Sequence, residues 1–320
     1  MTASDRLRTG EKDVLVILPT YNRAGLLPVA VESVFLQDYP HKKLVIVDDG
    51  STDETSALCA RYVKDYPGTV AYVFKANGGC ASARNVGLQW IDDQTGYVCF
   101  LDSDDRLLPG KFSREVALLS SHPGADFTYS DSVIFEEETG REEMWKVAAG
   151  GAPERFSIEH FLTLEAKTAS ILYRAETVRS RRFREDLLYN EDSDFLQKIA
   201  IECRGIYCAE PGSWVRSHPG SKSRNLLEID KAVFRSCRDI VRAYPDFHRQ
   251  HAALITGRME RLRKPLFQDM IARELYGDAR EFARTMPETI ITFLRLRGVY
   301  EAYEIWMRIR RKLTRWRKLA

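Results

Sequence analysis

Tyr97-Val98-Cys99-Phe100-Leu101-Asp102-Ser103-Asp104-Asp105 is an apolar run that stops abruptly on three acids. The apolar part is short for a helix and suits a buried strand. Carboxylates crowded at a strand end repel one another, so the cluster implies a cation, a polyol or a proton transfer that needs them. The same grammar recurs along the chain. Val14-Leu15-Val16-Ile17-Leu18 reads as a strand that stops at Pro19. Leu44–Val47 reads as a second, followed by Asp48-Asp49-Gly50-Ser51-Thr52-Asp53, and Val70–Phe74 as a third. Phe127-Thr128-Tyr129-Ser130 is a fifth, followed by Asp131.

Helical spacing fills the gaps, over residues 25–37, 53–64, 81–90 and 111–121. Ser51 or Asp53 caps the second of these helices, Gly78-Gly79 opens the third, and Pro109-Gly110 leads into the fourth. Apolar strands alternating with helices predict an α/β fold, with a mainly parallel sheet covered on both faces. Ligands in such sheets sit beyond the carboxyl ends of the strands, where three of the acidic clusters fall. Residues 132–160 break the alternation, and Glu136-Glu137-Glu138-Thr139-Gly140-Arg141 reads as an exposed hairpin or loop. A strand over 168–173 follows. A helix over 191–202 then opens on a fourth acidic cluster, Glu191-Asp192-Ser193-Asp194. Beyond 225 the strand signal fades into four or five helices with a break near Pro265. The reading is therefore an α/β region over 1–225 and a helical region over 226–320.

The 320 residues, 44% hydrophobic and 29% charged, are ordinary for a globular protein. The net charge of +2 hides an asymmetry: residues 305–320 carry seven Lys or Arg and no acid, leaving 41 basic against 46 acidic residues elsewhere. An acidic body excludes nucleic acid as a general partner. The six cysteines form no C-x-x-C pair and read as reduced thiols of a cytosolic protein. Val14–Leu18 is too short for a secretion signal, and no run approaches the ~18–20 apolar residues of a spanning helix. The expected location is cytoplasmic.

Five motifs stand in a fixed order: Val16-Ile17-Leu18-Pro19-Thr20-Tyr21-Asn22-Arg23, Val47-Asp48-Asp49-Gly50-Ser51-Thr52-Asp53, Asn77-Gly78-Gly79 with Ala83-Arg84-Asn85-Val86-Gly87, Phe100-Leu101-Asp102-Ser103-Asp104-Asp105, and Asn190-Glu191-Asp192. Together they make residues 12–225 resemble glycosyltransferase family 2 with its GT-A fold. The resemblance implies an inverting transfer of a sugar from a nucleotide diphosphate to a hydroxyl. Pro19, Thr20 and Tyr21 would line the base and ribose pocket. Asp49 would accept a hydrogen bond from the nucleobase, as the N–H of uracil offers, which favours a UDP-sugar donor. Gly78 and Gly79 would let the backbone approach the nucleotide. Arg84 would reach base or phosphate oxygens, unless it is a plain surface arginine.

In the same resemblance Asp102-Ser103-Asp104 is the D-x-D motif. Mn²⁺ or Mg²⁺ takes oxygen ligands but only one or two protein carboxylates. Asp104 would be the ligand, Asp102 would hold ribose hydroxyls or the metal, and Asp105 would stand by. Asp192, paired with Glu191, would be the general base, with Glu191 and Asp194 as competitors and a plain acid-rich helix start as the structural alternative. Val215–Arg224 would close over the diphosphate through Arg216, His218 and Lys222, His218 alternatively ligating the metal. The Q-x-x-R-W motif of processive members is absent, because Lys312-Leu313-Thr314-Arg315-Trp316 lacks the Gln. A non-processive enzyme of bacterial cell-surface polysaccharide or glycolipid synthesis follows, with a saccharide or lipid-linked acceptor. Two rivals are a non-catalytic nucleotide-sugar-binding module and a nucleotidyltransferase. The latter needs a Gly-rich loop with an activating Lys, which is missing near Pro19.

Wound as a helix, 303–320 puts Ile305, Trp306, Ile309, Leu313, Trp316 and Leu319 on one face and Arg308, Arg310, Arg311, Arg315, Arg317 and Lys318 on the other. This is the pattern of a helix lying in a membrane interface, with about 1 kcal/mol gained per basic residue near anionic lipid. Peripheral attachment to the inner face of the cell membrane is one expectation; docking on protein is the other. Deleting 303–320 should lower co-sedimentation with anionic liposomes and spare donor hydrolysis. Unchanged co-sedimentation would favour docking on protein.

Overall fold

Strand β1 (Asp13–Thr20) is buried at every residue, because β2 (Lys42–Asp48) and β4 (Thr95–Phe100) flank it in parallel. The computed structural model describes residues 12–147, 166–253, 255 and 257. β3 (Val70–Phe74) continues the parallel array beyond β2. Alternation along β1 splits the core in two. Val14, Val16 and Leu18 pack with α1 (Leu27–Phe35), Cys59 of α2 (Thr55–Asp65), and Phe112 and Leu119 of α4 (Lys111–Ser121). Leu15 and Ile17 pack on the opposite face with Ala81 and Ala83 of α3 (Cys80–Gly87), Val178 of α5 (Ala175–Arg179), and Phe195, Leu196 and Ile199 of α6 (Glu191–Glu202). Gly87 lies so close to β1 that a Cβ there would collide with Ile17.

The expected stop at Pro19 does not occur, and the strand runs on to Thr20 with Pro19 opposite Val47. The Ile17 carbonyl accepts from the Leu101 amide on the β4 side. Pro19, two residues on, therefore turns its missing N–H towards β4. The β1–β4 pairing has already ended there, at Ile17 opposite Phe100, so no ladder bond is lost.

The parallel expectation holds for the first four strands and gives way to mixed pairing beyond them. The sheet order is β3-β2-β1-β4-β8-β6-β9-β5, with β7 (Arg141–Trp145) on β6. β8 (Ile171–Arg174) runs antiparallel between β4 and β6 (Phe127–Glu136). β6 pairs in parallel with β9 (Gly205–Ser217), and β5 (Arg106–Leu107) runs antiparallel to β9. Sequence reasoning missed β5 and β9. Pro211-Gly212 reads as a breaker, yet the strand bulges past it: pairing jumps from Ser130–Cys208 to Ser132–Ser213. The loop expected over Val215–Arg224 thus begins as strand through Ser217, and Lys222–Arg224 form a 3₁₀ turn.

The far ends of β6, β7 and β9 pair with one another and form a wall beside the carboxyl end of β4, where Arg216 and His218 meet Asp105 and Asp104. The Glu136–Arg141 turn is the expected exposed hairpin. Helix α7 (Leu226–Ala243) docks through Ser236 on Asp194 of α6, and helical residues resume at Pro245. Met1–Met259 form one compact unit. Among the described residues no helix is long and apolar enough to cross a membrane. All six cysteines are free thiols. The break near Pro265 and the basic stretch 303–320 lie outside the described residues.

Candidate active site

The loops after β1 and β2 are stitched together. The Asn22 amide donates to Ser51 Oγ (2.8 Å), the Thr52 amide to Asn22 Oδ1 (2.7 Å) and the Arg23 amide to Thr55 Oγ1 (3.1 Å). Asp53 accepts from the amides of Ala24 and Thr55, so it holds the start of α2 and the neighbouring loop at once. Asn22 adopts φ +51°, which asparagine tolerates through its short polar side chain. Tyr21 is left 47% exposed at the carboxyl end of β1, while Thr20 is buried. A ring so placed has a free face for a base or ribose.

Asp49 departs from its expected role. Its Oδ1 accepts from Lys75 Nζ (2.5 Å) and the Gly78 amide (2.9 Å), its Oδ2 from the Gly79 amide (2.7 Å). The carboxylate that was to meet a nucleobase thus gives three acceptor positions to Lys75 and the 78–79 amides and keeps one on Oδ2. The Asp49 carbonyl also takes the Asn77 side-chain amide at 2.9 Å. Gly79 has φ +89° and needs to be glycine. A Cβ on Gly78 would lie 3.0 Å from both Lys75 Nζ and Ser82 Oγ. These glycines shape the start of α3 beside the pocket.

Arg84, expected to reach out to the nucleotide, points inward. It is 2% exposed. Its Nη2 donates to Asp102 Oδ1 at 2.7 Å and its Nη1 to Glu191 Oε1 at 3.0 Å, and its guanidinium lies 5.3 Å from the Phe183 ring centre. One cation therefore ties the end of β4 to the start of α6, whose Glu191 lies 107 residues on from Arg84. Burial pushes the Asp102 carboxyl up. Arg84 opposes that shift, and the charges of Asp104 and Asp192 add to it. Burial also raises Glu191, against Arg84 and with Asp192. The acids predicted from separate motifs thus act on one another across a single cleft.

Asp104 faces the wall. His218 Nδ1 accepts from the Gly220 amide (3.2 Å), so Nε2 carries the proton and donates to Asp104 Oδ2 at 3.2 Å. In that tautomer His218 orients Asp104; in the other its Nε2 lone pair lies beside the Asp104 carboxylate. Arg23 Nη2 lies 3.7 Å from the same oxygen. Asp105 is buried and accepts from the Arg216 amide (3.0 Å). Burial, then Asp102 and Asp104, push its carboxyl well up. The Arg216 guanidinium turns away to Glu137 Oε1 (2.9 Å). Lys222 is exposed, and its charge bears on Glu191. Among the described residues no three His, Cys, Asp or Glu side chains form a ready-made metal cage.

Asp192 lines a small cavity with Phe100, Thr168, Tyr173 and Phe183. Its Oδ1 accepts from the Ser193 amide (2.7 Å) and its Oδ2 from Thr168 Oγ1 (2.9 Å). Asn190, at φ +61°, turns the chain into the helix just before it. Asp194 is removed from contention: it is buried against Lys198 Nζ (2.7 Å) and Ser236 Oγ (2.6 Å), facing α7. Asp131 also lies outside the group, holding the Val147 amide (2.8 Å).

The sequence profile described as Glycosyl transferase family 2 matches residues 15–186, more than half of the chain. The chain belongs to glycosyltransferase family 2. Minor teichoic acid biosynthesis protein GgaB of Bacillus subtilis is 28% identical over 197 residues, which cover 58% of this chain but 21% of that protein. Putative teichuronic acid biosynthesis glycosyltransferase TuaG of the same organism is 37% identical over 106 residues, 33% of this chain and 41% of that one. The family 2 chain thus spans only part of the length of these relatives. Among solved structures, residues 1–349 of TarS from S. aureus with UDP-GlcNAc superpose with TM-score 0.58 at 20% identity, over 72% of this chain and 66% of that one. A mannosyltransferase from Pyrobaculum calidifontis with GDP-Man and Mn²⁺ gives TM-score 0.58 at 18% identity, over 93% and 84%. These likenesses establish the GT-A fold.

Within that family 2 frame, sequence reasoning missed Lys75, Asn85 and Thr168, and quoted Arg23 without a role. Asn85 stood inside a quoted motif: its side chain donates to the Phe183 carbonyl (3.0 Å) and accepts from the Phe183 amide (2.8 Å), holding the ring beside Arg84. Thr168 carries no sequence signal, because only the tertiary fold brings it to Asp192.

The raised carboxyls set a pH dependence. The folded form holds protons on Asp102, Asp105 and Glu191 to higher pH than the unfolded chain does. Their contribution to stability is full below the ordinary carboxylate range (about 4) and is lost as pH rises through the raised folded values. In chelator-treated protein, Asp105→Asn should therefore match the parent's melting temperature near pH 4 and exceed it increasingly towards pH 8. Parallel melting curves across that range would contradict the assignment.

Proposed function

We propose that the chain is a metal-dependent, inverting and non-processive glycosyltransferase. It moves a sugar from a nucleotide diphosphate donor to a hydroxyl on a saccharide or lipid-linked acceptor, in the synthesis of a cell-surface polymer. The observation that carries this reading is the Arg84 bridge, which brings the Asp102-Ser103-Asp104 end of β4 and the Glu191-Asp192 start of α6 to one cleft.

Tyr21 and the 77–79 turn bind the nucleotide, with Pro19 and Thr20 behind them. The preference for a UDP-sugar is supported by the acceptor position left on Asp49 Oδ2 and by solved structures of the fold that carry UDP or UDP-GlcNAc, against one with GDP-Man. Arg23, Lys222 and the 216–224 segment supply positive charge for the diphosphate. The donor set fits Mn²⁺ or Mg²⁺: Asp104 and Asp102 would hold the ion, one or two carboxylates being what such a hard cation takes from a protein beside a diphosphate. His218 holds Asp104 in place, which is the usual contribution of an outer partner to a metal site. When bound, the cation neutralises the charge that builds on the leaving diphosphate.

Asp192 is the general base. The acceptor O–H gives its proton to the Asp192 carboxylate while its oxygen bonds to the anomeric carbon. The anomeric C–O bond to the diphosphate breaks, and its electron pair leaves with the diphosphate. One attack from the face opposite the leaving group inverts the centre. Glu191, fixed by Arg84, holds the first turn of α6 so that Asp192 faces the acceptor. The cell-surface acceptor is supported by the relatives of teichoic and teichuronic acid synthesis, and the basic stretch 303–320 would keep the enzyme beside a membrane-bound acceptor.

Thermal shift with UDP, GDP and TDP, each with and without Mn²⁺, should show one nucleotide stabilising the protein strongly and only with metal. Asp104→Asn should remove the metal-dependent part. Asp192→Asn should lower transfer by about 10²–10⁴-fold while keeping the nucleotide shift; loss of both in Asp192→Asn would reassign that residue, and no shift of the parent with any nucleotide would favour a degenerate member of the fold that binds no donor.

A further inference from the structure

We infer that Thr168 is the positioning residue of the general base, and that the buried turn it opens, pinned to β6, holds it in register. The inference rests on the reading of Asp192 as base. Asp192 has two recorded hydrogen-bond donors. One, the Ser193 amide, belongs to its own helix. The other, Thr168 Oγ1 at 2.9 Å on Oδ2, comes from a different element. The rest of the cavity around that carboxylate is apolar or aromatic, with Phe183 and Phe195 stacked 3.9 Å apart. A carboxylate among rings has few orientations that keep it hydrogen-bonded. The Thr168 hydroxyl selects one, and leaves the second lone pair of each oxygen for an incoming O–H.

Thr168 is itself fixed from below. It opens the 3₁₀ turn Thr168–Ser170. Within that turn the Ser170 amide and hydroxyl both donate to the Lys167 carbonyl, at 2.8 and 2.7 Å. The Ser170 carbonyl accepts from Ser130 Oγ at 2.9 Å. Ser130 lies 3.3 Å from Glu115 Oε1. Glu115 accepts from Lys111 Nζ at 2.6 and 2.7 Å and from Thr128 Oγ1 at 2.7 Å. Lys111, Glu115, Thr128 and Ser130 are all buried. Of these groups only Thr168 reaches a residue assigned to the chemistry. Ser130 has one hydroxyl proton, and the shorter of its two contacts gives it to the Ser170 carbonyl, so the turn that carries Thr168 is pinned to β6 by that bond.

The test uses Thr168→Val, which keeps the shape and removes the hydroxyl, and Thr168→Ser, which restores it. Thr168→Val should lower kcat roughly ten- to a hundredfold while donor KM and the nucleotide-induced thermal shift stay at parent values, and Thr168→Ser should recover most of the loss. Equal kcat for Thr168→Val and parent, or an equal loss in both variants, would overturn the inference. A crystal structure of Thr168→Val with UDP gives a readout free of turnover: a rotated Asp192 carboxylate supports the positioning role, and an unmoved one refutes it. If the parent transfers no sugar, the functional reading fails, while the crystal structure still decides whether Thr168 orients Asp192.

Discussion

A single buried guanidinium organises the cleft. Arg84 lies between Asp102 and Glu191, so the acids of two distant motifs share one counter-ion. Taking a charge out of water is costly, and removing one partner of a buried pair leaves the other uncompensated, at about 3–5 kcal/mol. The arrangement holds because the cation has two carboxylates and a ring beside it. It also depends on close packing beneath, where Ala83 and Gly87 let α3 lie against β1. A larger residue at 87 would lift the helix that carries Arg84. The catalytic geometry and the core thus rest on the same contact.

Much of this was legible in the sequence, and what was missed has physical causes. The limits of β3, α4 and α6 follow from apolar periodicity alone, because each is bounded by turn residues or acids. β9 escaped because Pro211-Gly212 mimics a terminator, and β5 because two residues carry no periodicity. The acids of the β4 and α6 motifs share one cleft, and two further motif residues, Asp49 and Arg84, turn inward to protein partners. Asp49 and Arg84 were given ligand-binding roles by the family resemblance, which a carboxylate and a guanidinium suit. Their partners, Lys75, the Gly78 and Gly79 amides and Glu191, are set by tertiary geometry that no spacing rule reports. Asp194 and Asp192 differ by two positions on one helix and face different neighbours, which decides between them.

The wall formed by β6, β7 and β9 is held differently from the floor. Its ion pairs, Arg216 with Glu137 and Arg224 with Glu138, lie at the surface, where such pairs contribute little and are screened by salt. More of its rigidity comes from Trp214, which stacks on Phe135 at 4.8 Å, lies under the Arg106 guanidinium at 4.1 Å, and donates its indole N–H to Glu142. Packing fixes the strand that carries His218 to Asp104, and charge only trims it.

The bulge in β9 separates two ladders that are keyed independently. Cys208 answers Ser130 and Ser213 answers Ser132, so residues 209–212 are a spacer whose length neither ladder reads. Lengthening the spacer at Ala209 or Glu210 only enlarges a loop, whose closure cost grows slowly with size. One extra residue after Ser213 would instead swap inward and outward faces, turning Trp214 out and carrying His218 away from its aspartate. Length variation among homologous chains should therefore gather at the spacer and be purged a few positions later.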